Sequence, residues 1–352
     1  DRRQRQMCIR DSNGRTRGMV EGQPGGTRMN IRPRINRWTA ARRRLLFGDG
    51  MLDSLVQPHF VVDGTGVDDP IEGMPGIHQQ SVDVLLKTIA EDASHGLKAV
   101  MLFGVVAAHA KDAEATEAHN HGSHLHRAIT EIKSTFGDEV VVMTDVCLCT
   151  ATDHGHCGLV HDGEIVNDAS VDVLCKVAVS HAAAGADYVC ASDMMDGRVS
   201  AIRGALEAAG ATSTGILSYS VKYASSFYGP FRHAAQSSPE FGDRATHQMD
   251  TRSGYEEAML EANLDETEGA DIIMVKPGLP YLDVVRKIAD TVVRPVAVYN
   301  VSGEYAMVMS AQSSKDSHRG MVVEVLTAFK RAGASVIVTY HAREVARKQW
   351  MA

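Results

Sequence analysis

No stretch of the 352 residues approaches the run of about 18 apolar residues that a membrane-spanning helix requires, so a membrane span is excluded. Charged residues are only 23% of the chain and neither Gly-X-Y nor heptad repeats occur, which excludes wholesale disorder, collagen and coiled-coil architectures. No Pro/Ser-rich linker divides the chain, and no G-x-G-x-x-G follows the first strand-like segment, which argues against an open dinucleotide-binding sheet. Cysteine is sparse, with six in all, and three of them crowd between Cys147 and Cys157. A chain this long buries a sizeable core without staples, so these read as reduced thiols in an intracellular setting and not as a disulfide framework.

Lysine is missing altogether from residues 1–44, which hold 13 Arg against three acids (Asp1, Asp11 and Glu21). This arm therefore carries a surplus of ten positive charges, while the whole chain is at −8. A basic arm on an acidic body suits contact with a neighbouring subunit, nucleic acid, or a targeting function. Serine, common in transit peptides, appears there only as Ser12, and subunit contact is the preferred reading.

What is present is alternation. Short β-branched runs are predicted as strands at Val56–Val62, Ala99–Gly104, Val140–Val146, Tyr188–Ser192, Gly215–Ser220, Ile272–Lys276, Val296–Val301 and Val336–His341, with helix-period stretches between them. Eight βα repeats predict an α/β fold, a (β/α)8 TIM barrel over residues 51–352 preceded by an extended N-terminal arm over 1–50. The loops over 147–169 and 221–252 exceed ordinary βα connections and emerge at the carboxyl end of the strands, where barrel enzymes build their sites.

Those segments carry the chemistry. Cys147, Cys149 and Cys157 lie in a Gly/His/Asp-rich loop, and three thiolates spaced C-x-C-x7-C suit zinc or another soft to borderline cation, with His154 or His156 inside or outside the shell. Cys175 and Cys190 read as small hydrophobes. His119, His121, His124 and His126 read as a solvated loop. Lys222 and Lys276 each end a strand, where burial lowers the amine pKa and frees it to attack a carbonyl; Lys133 reads as an ordinary surface lysine. Arg232 and Arg244 suit a carboxylate clamp, and Ser302 and Tyr340 offer hydroxyls for a second carboxylate. Asp145 and Asp193 are candidates for proton transfer, and Asp196 and Arg198 for an ion pair or a cap.

Several segments together resemble the porphobilinogen synthase (5-aminolevulinate dehydratase) family, in its zinc-cysteine form. They are Thr144–Cys149 with His154–Gly158, Ser192–Arg198, Ser218–Arg232, Met274–Asp283 and Tyr299–Met307. The resemblance implies a lyase of tetrapyrrole biosynthesis that condenses two molecules of 5-aminolevulinate to porphobilinogen with loss of two waters. It implies that Lys276 forms the Schiff base with the first substrate and Lys222 with the second. Arg232, Arg244 and Gln248 would hold the second substrate's carboxylate, and Ser302 and Tyr340 the first's. Cys147, Cys149 and Cys157 would bind catalytic Zn2+ beside Asp145, and Glu261 would help hold an allosteric Mg2+ at a subunit interface.

The family resemblance also implies a homo-octamer built from dimers, with no nucleic-acid or membrane partner, and a cytoplasmic or, if residues 1–30 are a transit remnant, plastid location. Departures from the family pattern stand at Ala191, His247, His341, Thr150-Ala151 and Phe47–Gly50. The competing readings are a class I aldolase or dehydratase that uses Lys276 alone, and a zinc-binding scaffold with a nucleic-acid-binding arm.

Overall fold

The computed structural model describes residues 31–311 and 314–351. Most of the predicted arm, including Cys8 and the segment considered as a transit remnant, lies outside the described residues.

Eight parallel strands close into a barrel: β1 Leu55–Val61, β2 Ala99–Gly104, β3 Val141–Val146, β4 Tyr188–Ala191, β5 Gly215–Lys222, β6 Ile272–Lys276, β7 Val296–Asn300 and β8 Val336–Thr339. Each pairs with its sequence neighbour, and β8 closes onto β1 through Leu55 opposite Ile337 and Val56 opposite Val338. Strand residues alternate between two cores. Phe103, Met143, Tyr188, Tyr219, Met274, Tyr299 and Val338 point inward and fill the barrel. Val142, Ile273, Val298 and Ile337 point outward against the helical ring. Burial on both faces is why the strands read as continuous apolar runs.

The ring helices are α2 Val82–Ser94, α3 His124–Phe136, α4 Asn167–Ala184, α5 Arg198–Ala208, α7 Tyr255–Glu268, α8 Leu282–Ala289 and α10 Lys315–Ala332. Those of α4 and α7 stop on Gly185 (φ 109°) and Gly269 (φ 105°), left-handed positions that glycine takes without penalty. Three shorter helices were not legible in the sequence, α1 Ala40–Phe47, α6 Gly229–Ala234 and α9 Ser302–Ser310, whereas α11 Ala342–Lys348 falls within the helix expected over Ala342–Met351. A short hairpin, Val160–His161 with Glu164–Ile165, stiffens the cysteine loop, and Asp68–Pro70 pairs with His78–Gln80 beside β1.

Over residues 31–50 the arm is not the extended segment expected. Thr39 caps α1 by accepting from the Arg42 amide, and Ile35, Leu45 and Leu46 are buried against the amino end of the barrel. Arg42 then reaches Asp187, with Nη2 to Oδ1 at 2.8 Å. Asp187 also accepts from Lys133 Nζ at 3.1 Å and from the Val142 amide at 2.8 Å. Lys133, expected as a free surface lysine, is thus part of this hub.

Removing the carboxylate strands a buried guanidinium and a strand amide together. Asp187→Ala should lower unfolding free energy by about 3–5 kcal/mol, the range for breaking a buried ion pair from one side; denaturant titration measures it, and a loss below about 1 kcal/mol would contradict the hub.

Candidate active site at the mouth of the barrel

Lys222 and Lys276 are direct partners across β5 and β6. On β6 the inward positions are Ile272 and Met274, so Lys276 continues that parity into the barrel. On β5 the parity would send Lys222 outward, because Leu217 and Tyr219 face in. A register shift intervenes: Ser218 pairs with Ile273, yet Val221 pairs with Val275, so β5 carries one extra residue. Val221 therefore faces the helices and Lys222 turns in beside Lys276.

Both lysines are buried. Lys276 Nζ lies among aromatic faces, 4.4 Å from the Tyr299 ring centroid, 5.0 Å from Tyr219, 5.1 Å from Tyr228 and 5.2 Å from Phe231. Desolvation first, then the Lys222 charge, drives its pKa down to about 7, with Asp145 opposing. Lys222 Nζ donates to the Ser192 carbonyl. Asp145, inward on β3, is pushed up to about 6 by burial, against a hydrogen bond with Ser192 and the attraction of both lysines.

The long loop after β5 closes the mouth. Phe231 on α6 packs on Phe60 and Phe103, with centroids 5.6 and 5.1 Å apart, and its amide donates to Ser302 Oγ at 2.9 Å. Arg244 Nη2 donates to the carbonyls of Ser237 (2.6 Å) and Gly155 (2.9 Å), tying this loop to the cysteine loop. Gly155 (φ 71°) is needed there, since a Cβ would stand 2.3 Å from the Ser238 carbonyl oxygen. Among the described residues, Nε of Arg232, Nε of Arg244 and both amide atoms of Gln248 are buried without a hydrogen-bond partner. Burial and then Arg244 push the Arg232 pKa down, so an anion between the two guanidiniums would relieve both. Tyr340 OH lies 3.1 Å from Tyr299 OH, beside the Lys276 pocket.

Cys147, Cys149 and Cys157 are buried, and their sulfur atoms lie within 4.8 Å of one another. Hydrogen bonds from the other two thiols, with Arg244 and His247 beside it, hold Cys157 below its ordinary pKa, while Cys147 and Cys149 are raised. One stabilised thiolate with two thiols that lose protons on ligation is a donor set fitted to a borderline metal ion. The substituted pair Thr150-Ala151 does not leave the loop loose: the Ala151 and Thr152 amides donate to the Leu148 carbonyl, and Thr152 Oγ1 to the His156 carbonyl.

Other expectations fall elsewhere. Glu261 is on α7, half-buried, with its carboxyl pushed up to about 7 by burial against the pull of Arg198. Arg198 pairs with Asp265 at 3.0 Å and not with Asp196, which is exposed, because the buried guanidinium faces the inner side of α7. Asp193 is buried 3.9 Å from Arg198. The histidine segment is only partly solvated: His124 and His126 are buried in the first turn of α3, with His126 Nε2 2.9 Å from Ser180 Oγ on α4. Sequence reasoning missed the aromatic walls and the Ser192 carbonyl. Inward strand parity marks Tyr219 and Tyr299; only the folded loop identifies Phe231.

The family model described as Delta-aminolevulinic acid dehydratase matches residues 30–348. The chain belongs to this family. A relative of that name from Archaeoglobus fulgidus is 47% identical over 90% of this chain and 97% of its own length, and one from Bacillus subtilis is 48% identical over 84% and 90%. A crystal structure of delta-aminolevulinic acid dehydratase (porphobilinogen synthase) from Toxoplasma gondii, in complex with the reaction product porphobilinogen, superposes with a TM-score of 0.82 at 45% identity, covering 97% of this chain and 95% of that one.

Because the neutral amine is the nucleophile, borohydride trapping of a small ketone on Lys276 should rise with pH through a midpoint near 7 and level off about one unit higher. Mass spectrometry of the labelled peptide follows it; a midpoint above 9, towards the ordinary lysine value, would contradict the buried setting.

Proposed function

We propose that this hydro-lyase condenses two molecules of 5-aminolevulinate through two lysine imines, and that the pairing of Lys222 with Lys276 inside a closed, aromatic-walled mouth carries the reading. Lys276, about half neutral at pH 7, attacks the ketone of the first substrate and one water leaves as the imine forms. Lys222 captures the second in the same way, releasing the second water. Carbon–carbon and carbon–nitrogen bonds then join the two molecules, each expelling a lysine amine, so the net loss is two waters. Asp145, poised near pH 6, takes a proton as the ring becomes aromatic. With both ketones held on neighbouring strands, approximation supplies much of the rate.

The buried, unpartnered donors of Arg232, Arg244 and Gln248 support a carboxylate subsite for the second substrate. Ser302 and Tyr340 hydroxyls, at the Phe231 and Tyr299 side, would serve the first. Cys147, Cys149 and Cys157 would hold zinc; bound there, it supplies Lewis-acid character beside the second substrate. The half-buried Glu261 carboxyl, crowded by Asp265 and Asp196, supports a magnesium site on α7. We further read residues 1–50 as contacting a neighbouring subunit in an octamer built from dimers. Among the described residues no helix is long and apolar enough to cross a membrane, and we read the enzyme as cytoplasmic, in keeping with its bacterial and archaeal relatives.

Pyrrole formation from 5-aminolevulinate tests the chemistry. Lys276→Ala and Lys222→Ala should each reduce kcat by at least about 1,000-fold. An enzyme that keeps near-full turnover without Lys222 is a one-lysine aldolase-type catalyst instead. Stripping metal with a chelator should abolish turnover, and zinc should restore it; activity indifferent to chelation would remove the cysteines from catalysis.

A further inference from the structure

A second cluster of metal-binding side chains lies away from the cysteines. His341 lies two residues beyond the end of β8, at the N-cap of α11, Glu344 is in the first turn of α11, and His318 is near the start of α10. One ligand atom from each falls within 4.8 Å of the others. For metal bonds of 2.0–2.1 Å, neighbouring ligands of a tetrahedral ion stand about 3.3 Å apart, so closure needs only side-chain adjustment.

His341 is fully buried, and neither ring nitrogen has a hydrogen-bond partner among the described residues; Nδ1 of the buried His318 has none either. A buried imidazole left without partners carries an uncompensated desolvation cost, which ligation removes. His318 Nε2 and Glu344 Oε2 are 2.8 Å apart, and Lys348 Nζ bonds only the other carboxylate oxygen, at 2.5 Å. The Tyr305 ring packs on His341 at 4.5 Å and the Trp350 ring edge on His318 at 5.5 Å, walling the cluster with apolar surface.

We propose that His318, His341 and Glu344 form a second metal site, taking a borderline divalent cation such as zinc and leaving its fourth position to water. Burial keeps His341 in the neutral form that ligates, its pKa pushed down to about 3. The ion clamps α10 and α11 to the end of β8. It adjoins the proposed substrate site, because His341 follows Tyr340 in the chain and the Tyr305 ring, packed on His341, also contacts Tyr340 at 5.6 Å.

The test removes the thiolate site first, with Cys147→Ser, Cys149→Ser and Cys157→Ser together. This protein, stripped of metal and titrated with Zn2+ against a chromophoric chelator, should bind one tight equivalent per chain and gain Tm on binding. With Co2+ the absorption should show nitrogen and oxygen ligation without thiolate charge transfer. His318→Leu or His341→Phe in that background should weaken binding about 100-fold or more, beyond the 10–100-fold that outer-shell partners carry. The proposal is overturned if the protein without the three clustered cysteines binds no ion, or if the equivalent survives both histidine substitutions, as adventitious binding at His119 and His121 would. Should the triple variant fail to fold, Co2+ titration of the unsubstituted, metal-stripped protein decides. A second, thiolate-free equivalent that His341→Phe removes supports the site, and its absence refutes it.

Discussion

An uncharged amine in a place without water is the condition on which this structure turns. A lysine surrendered to solvent is protonated and inert towards ketones; one that is buried beside a second lysine has its pKa drawn down to about 7 and keeps a large neutral fraction. Meeting that condition takes a closed barrel to surround the pair, aromatic rings to exclude water around Lys276, and a loop that seats Phe231 over the opening. The rings also present their negative faces to the amine, so the pocket tolerates the cationic imine that follows capture. Exclusion of water and tolerance of transient charge come from the same side chains.

The surrounding charges are graded. Arg232 and Arg244 crowd one another and retain unsatisfied donors, so that side of the mouth favours an anion. The cysteine loop on the same side carries a stabilised thiolate at Cys157, held in part by Arg244. The hydroxyls of Ser302 and Tyr340 sit on the β7 and β8 side, where no arginine bears on them in the same way. On the proposed reading, two chemically identical substrates would meet two unlike environments, which is what an asymmetric condensation demands.

Much of this was legible in the residues themselves. Short continuous apolar, β-branched runs located all eight strands, because a strand buried on both faces has little choice of composition. Lys222 and Lys276 were recognisable as lysines that end buried strands. The cysteine trio announced itself by spacing. Other features depend on tertiary contacts that local pattern does not encode. The arm hid α1 because its helix is stabilised by Arg42 reaching Asp187, a partner 145 residues away. Buried His126 read as solvated because its cover, Ser180 and His181, comes from α4. The closure over the mouth depends on where Phe231 lands, and a loop sequence rich in Gly, Pro and Ser does not state its landing point.

The extra residue in β5 has a further meaning. Lys222 reaches the interior by virtue of an insertion in the strand ladder, so its position beside Lys276 is a property of backbone count before it is a property of lysine. Grafting both lysines onto the corresponding sites of another eight-fold barrel would deliver one to the lumen and send the other into the helical shell. Any engineer or any lineage acquiring this chemistry must inherit the irregularity along with the side chain.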